Sequence, residues 1–145
     1  MRPNDVVMSE LKDFAAWSQT GVQPGAVTLI DYVGFVATPD LLFGFVSLFS
    51  PDLVVHEGLR FLASGFSVKT YEQWVNTGAA PHEIQRVMNH LHISTLLQGG
   101  ASDIVATEAA RTIAAIWSRT LGPDGLVAES LGSGIEDAAV TFFEA

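Results

Sequence analysis

The chain contains no cysteine. That single absence excludes disulfide frameworks, thiolate zinc sites, iron–sulfur clusters and cysteine nucleophiles. Bases are scarce as well: seven Lys and Arg face sixteen Asp and Glu, for a formal charge of −9. Binding to a phosphate backbone depends on clustered Lys and Arg, and here they are scattered from Arg2 to Arg119. Neither nucleic acid nor an anionic membrane is therefore expected as a partner. Long apolar runs are missing too. The stretch "LLFGFVSLF" (41–49) is about half of what a bilayer span needs. The opening "MRPNDVVMSELKDF" has acids where a secretory leader would be basic and then apolar, so a soluble, cytoplasmic chain is expected. No Walker loop, G-x-G-x-x-G or G-x-S-x-G is present, and no cofactor is implied.

What the sequence does have is apolar content. Mean hydropathy is +0.32 with only 16% charged residues, in a 145-residue chain read as a single domain, 1–145. Either the core is dense, or part of the apolar surface meets another chain. The second alternative points to self-association as a dimer, or to another protein as partner.

Local signals give an outline of the elements. A helix is expected from about Asn4 to Gln19, capped by Asn4 or Asp5 and stopped by Gly21, while residues 20–37 suit either a short helix or a strand. Thr38-Pro39-Asp40 is a helix start, followed by a nearly all-apolar helix that should be buried on most sides. "DLVVHEGLRFLA" reads as a hairpin turning at Glu57-Gly58, which residues 66–69 extend or follow. Thr70 to Gln73 matches a capping box for a short helix ending before Gly78. Two longer helices follow. One runs from Pro81 to about Gln98, closed by Gly99-Gly100. The other runs from Ser102 or Asp103 to Gly122, with Val105, Ala109, Ile113, Ile116, Trp117 and Leu121 on its inner stripe. A second hairpin, "LVAESL" and "DAAVTFF" joined through "GSGIE", closes the chain. The expected class is α+β: a mainly antiparallel sheet from hairpins at about 52–64 and 126–143, packed against four to five helices.

Residues 82–94, "HEIQRVMNHLHIS", hold three of the four histidines. On a helix, Ile84, Val87, Met88, Leu91 and Thr95 share one side. His90 and His92 then point apart by about 200°. His82 and His90 lie roughly 12 Å apart along the axis, and Arg86 stands where an H-E-x-x-H pattern needs its second histidine. No metal site is expected on that geometry. On a strand the argument reverses, because alternate side chains share a face.

His56 is the stronger candidate for chemistry. The Glu57-Gly58 turn pairs it with Leu59 and sets it beside Val54 and Phe61, at the mouth of an apolar face, where it could serve as a general base or ligand contact. Arg60 faces the other side. Asp31 and Tyr32 are candidate ligand-binding residues, since an acid among Val27, Leu29, Ile30, Val33 and Phe35 needs a partner if buried; a helix cap is the plainer role for it. "GSG" (132–134) reads as turn residues, because no helix N-terminus is expected after it. "LFSPDLVVHEG" is similar to the first strand of the cone-shaped polyketide-cyclase and limonene-hydrolase-like proteins. The likeness spans eleven residues, and the two helices expected over 81–121 depart from that family's run of strands. It serves only to draw attention to His56.

The functional expectation is a small bacterial-type module that binds another protein or itself, as immunity proteins and accessory subunits do, through an acidic and apolar surface. The alternative is a small ligand-binding domain or enzyme with an apolar pocket that uses His56.

Overall fold

Leu11 interrupts the long amino-terminal helix that the periodicity predicts. Its backbone (φ −81°, ψ 73°) leaves the helical region, so α1 (Asp5–Glu10) and α2 (Lys12–Ser18) replace one helix. The computed structural model describes residues 5–21, 27–97 and 100–145; the expected cap at Asn4 and the stop at Gly99 lie outside them. Two compact units divide the chain, Met1–Phe45 and Val46–Ala145.

In the first unit, the ambiguous segment resolves as a helix, α3 (Leu29–Val36). A capping box starts it: the Thr28 hydroxyl accepts the Asp31 N–H at 3.3 Å, and the Asp31 carboxylate accepts the Thr28 N–H at 2.8 Å. Helix α4 (Pro39–Phe49), whose last four residues belong to the second unit, begins where the sequence predicts, with the Thr38 hydroxyl accepting the Leu41 N–H at 3.2 Å. The expectation that α4 is buried on most sides fails, since no residue of it is buried. Packing between α2 and α3 is aromatic. Trp17 lies 5.4 Å from Tyr32 and 5.6 Å from Phe35, with Phe14 at 5.9 Å from Tyr32.

In the second unit, β1 (Leu53–His56) and β2 (Leu59–Leu62) pair antiparallel around Glu57 and Gly58, whose φ values of +49° and +80° give the turn the hand that a tight hairpin requires. Ser67, not Thr70, caps α5 (Val68–Asn76), so residues 66 and 67 lead into a helix instead of extending the hairpin. Pro81 opens α6 as expected, but α6 (Pro81–Met88) stops ten residues before Gln98, with Asn89 as its carboxyl cap. A strand, β3 (Leu91–His92), and a 3₁₀ turn (Ile93–Thr95) follow, so Leu91 is on a strand and Thr95 is exposed. Ser102 caps α7 (Asp103–Thr120). Its buried stripe is Ala106, Ala110, Ile113, Ala114 and Trp117, shifted by one residue from Val105 and Ala109 at its start. The closing pair β4 (Leu126–Leu131) and β5 (Ala139–Glu144) is antiparallel, joined through a one-turn helix, α8 (Gly134–Asp137), where only a turn was expected. The class is thus α+β, with eight helices among the described residues, a two-stranded sheet, and a three-stranded sheet of order β3-β5-β4. The extra helices come from the break at Leu11, from residues 29–36 and from the last connection.

The main core lies between α7 and the three-stranded sheet, around Trp117, Phe142, Ile93 and Val140. Trp117 is tied at its indole N–H, which donates to the Leu48 carbonyl at 2.8 Å. A smaller cluster of Phe61, Tyr71 and Ile84 sits beneath the hairpin. Two amides on α6 join the sheets. In a hairpin with a two-residue turn, alternate residues direct their backbone groups away from the partner strand, and Arg60 and Leu62 are such residues on β2. The Asn89 side chain accepts the Leu62 N–H at 2.9 Å and donates to Arg60 O (3.2 Å) and Phe142 O (3.1 Å). Gln85, one turn earlier, donates to Arg60 O at 3.1 Å and accepts the Glu144 N–H at 3.0 Å. Both side chains are fully buried. They stand in for the ladder bonds that β2 and β5 do not make to each other.

Candidate functional site

The hairpin turn sets His56 where the sequence predicts, opposite Leu59 and above the smaller cluster. Its imidazole is half-buried. The ring stands 4.8 Å from that of Tyr71, edge to face, and 5.2 Å from Phe66. The Tyr71 hydroxyl donates to the Glu57 carboxylate at 2.9 Å. Loss of water around Tyr71 holds its hydroxyl above the ordinary tyrosine pKa, and the hydrogen bond and charge of Glu57 add to the effect. Arg60 turns away from His56 to pair bidentately with Glu144 at 3.1 Å. Two aromatic neighbours and a tied hydroxyl make this corner well packed. An open groove on this unit lies elsewhere, between α7 and α8, where Asp103 and Thr107 face Gly134.

That groove holds "GSG". Contrary to expectation a helix does follow it, and its first amides are already taken. Asp103 accepts the Ile135 N–H and Thr107 the Gly134 N–H, both at 2.9 Å. A Cβ on Gly132 would come within 2.4 Å of the Asp137 carbonyl, so its glycine serves the turn itself.

Asp31 and Tyr32 do not converge on a site. Asp31 is exposed and spends its carboxylate on the α3 cap, where the bonds from the Thr28 side chain and backbone hold its pKa below the usual carboxylate value. Tyr32 packs into the aromatic contact with Phe14 and Trp17. The capping role of Asp31 was legible from the T-x-x-D spacing.

The histidine cluster departs most from its helical reading. Because α6 ends at Met88, His90 and His92 flank Leu91 in extended backbone and lie on one face, their rings stacked at 4.8 Å and 13°. Partial cover of the His90 imidazole lowers its pKa, and the neighbouring His92 lowers it further. His82 sits apart, in the first turn of α6. The period-two pattern His-Leu-His-Ile over 90–93 was the signal for this strand. Among the described residues no three His, Asp or Glu gather as a metal cage.

A second feature goes against the expectation of a buried α4 and includes α3, whose segment the sequence leaves ambiguous. On α3 and α4 large apolar side chains face water: Ile30 is 83% exposed, Phe35 and Phe43 69% each, and Leu42 51%, with Val33, Val36, Leu41 and Phe45 also exposed. All eight lie in the first unit, a denser set of exposed large apolar side chains than the single scattered ones of an ordinary surface. No Lys or Arg occurs between Lys12 and Arg60, so neither helix carries a base of its own. No helix among the described residues is long and apolar enough to cross a membrane. No family model matches the chain, and no curated protein or solved structure shows detectable similarity to it.

Proposed function

We propose that the chain is a non-catalytic protein-binding module, of the kind that immunity proteins and accessory subunits represent, and that it pairs with a second copy of itself through the apolar surface of α3 and α4. One observation carries this reading: α3 and α4 contain no buried residue although both are apolar on nearly every side. A helix of that composition is normally covered. A standard protein interface takes roughly 800 Å² from each partner, and exposed large apolar side chains are what such an interface buries. An anionic membrane surface is a poor alternative cover, because interfacial helices rely on Lys and Arg along their polar face. A cytoplasmic setting belongs to the same proposal.

Sedimentation equilibrium of the full chain tests it. A mass of twice 15.5 kDa is the expected result. Ile30→Glu and Leu42→Glu, at positions already in water, should keep the far-UV spectrum and weaken association at least about tenfold by burying an unpaired charge. A monomer at all concentrations, or a dimer indifferent to both substitutions, overturns the reading. A ligand-binding role for His56 has one observation behind it: the ring nitrogens of His56 have no hydrogen-bond partner among the described residues. Its test is small-molecule binding that disappears in His56→Ala.

A further inference from the structure

The geometry points to His90 and His92 as a two-imidazole chelate for a divalent transition-metal ion, with copper(II) the tightest occupant and water completing the coordination. The site straddles the start of β3, the outer strand of the three-stranded sheet: His90 immediately precedes the strand and His92 is its last residue. Among the described residues β3 pairs with β5 alone, through Leu91 opposite Val140 and His92 opposite Ala139. Leu91 turns inward against the main core, which sends the residues on either side of it to the outer face. Both histidines are exposed, and their rings lie nearly parallel, 13° apart in plane and 4.8 Å between centroids. No hydrogen bond or ion pair to another described residue occupies their ring nitrogens.

Imidazole nitrogens bind such metals at about 2.0–2.1 Å, so two of them on one ion lie roughly 3 Å apart. Stacked rings 4.8 Å apart reach that separation by tilting toward each other, which exposed side chains can do without moving the strand. The donor type selects the ion: imidazole suits copper, nickel and zinc, and affinity in such a site peaks at copper(II). Calcium and magnesium, which require oxygen ligands, are excluded. The backbone preorganises the pair at neighbouring positions of one strand face. The two nitrogens therefore act as one bidentate ligand, not as two separate surface histidines.

The test uses the full chain and copper(II) itself, followed by isothermal titration and by electron paramagnetic resonance. One ion per chain is expected, with nitrogen hyperfine structure from two imidazoles. His90→Gln and His92→Gln should each lower the affinity at least about tenfold, with an unchanged far-UV spectrum because both side chains lie in water. His56→Gln and His82→Gln should leave it unaltered. Three results overturn the assignment: affinity no tighter than that of a His90→Gln/His92→Gln double variant, single variants that each keep it, or equal losses from His56→Gln or His82→Gln. Nickel(II) and zinc(II), run in parallel, should bind more weakly than copper(II). The reverse order would place the ion in a different donor set.

Discussion

Replacing Asn89 with alanine should be among the most damaging single changes in residues 46–145. The side chain makes three hydrogen bonds: from the Leu62 N–H at 2.9 Å, to Phe142 O at 3.1 Å and to Arg60 O at 3.2 Å. Truncation does not orphan all three partners, because Arg60 O keeps its bond from Gln85 at 3.1 Å. The Leu62 N–H and the Phe142 carbonyl lose theirs at a place where Asn89 itself is 0% exposed. An unsatisfied buried polar group costs about 1–3 kcal/mol, so two cost about 2–6 kcal/mol. A natural domain has only about 5–15 kcal/mol in hand. Urea unfolding followed by far-UV circular dichroism should show the midpoint falling by at least about 1 M with the slope unchanged. Asn89→Asp should be no better. Its carboxylate can still accept from Leu62 but sets negative oxygen against two carbonyls. Gln85→Ala alone should cost less, since only the Glu144 N–H loses its partner outright. The double variant should cost more than the sum of the singles, because Arg60 O then loses both donors. A loss below about 1 kcal/mol for Asn89→Ala would refute the idea that these amides replace a missing ladder.

Other consequences follow from the turn and the titrating groups. Gly58→Ala should destabilise by about 1–2 kcal/mol through backbone strain, since its φ is +80° and an added Cβ meets nothing within 4 Å; a neutral result in urea would remove the turn geometry from the hairpin's stability. Tyr71 should titrate above the ordinary tyrosine value of 10.0 when followed by ultraviolet absorbance. Unfolded tyrosine loses its proton near pH 10 while folded Tyr71 keeps it, so stability should fall as pH rises above about 10, and Tyr71→Phe should flatten that fall. A midpoint at or below the ordinary value would contradict the Glu57 contact. Asp31 should show the opposite behaviour: its depressed pKa supplies helix-capping stability above the ordinary carboxyl value of 3.8 that is lost as pH falls through the folded value. Carbon-13 titration of its carboxyl giving a midpoint at or above 3.8 would dismiss the capping box.

Whatever rests on a few neighbouring residues was legible in the sequence. The caps at Thr38 and Ser102, the proline start of α6 and the Glu57-Gly58 turn are local chemistry, and the structure has them where the residues indicate. The end of α6 was not legible. Asn89 looks like a solvent-facing helical residue until β2 and β5 are present to receive its amide, and the apolar spacing through Leu91 and Thr95 imitates one more helical turn. The inner stripe of α7 holds at Ile113, Trp117 and Leu121 but is displaced by one residue at its start, for a related reason. Hydropathy favours Val105, but close approach to the sheet favours Ala106, which is fully buried. Among the candidate site residues, the pairing of His56 with Leu59 followed from the turn, whereas the stacking of His90 on His92 depended on where α6 stops.

The hydropathy of the chain leaves two alternatives, a dense core or a covered surface, and the proposed self-association takes the second. Five buried positions of the second unit are alanines: Ala106, Ala110, Ala114, Ala138 and Ala139. The alanines let α7 approach the sheet closely, and the core they share with Trp117, Phe142 and Ile93 takes up none of the large apolar residues of the first unit. The large ones stand on α3 and α4, with Ile30, Phe35 and Phe43 among the most exposed. What can cover them is limited by charge. Between Lys12 and Arg60 the chain has no base at all, and its acids there are few, Asp31 and Asp40 being held at the starts of α3 and α4. Such a surface offers a partner almost no ion pair. Its complement is another surface equally poor in charge and equally apolar, and an identical copy supplies one by symmetry.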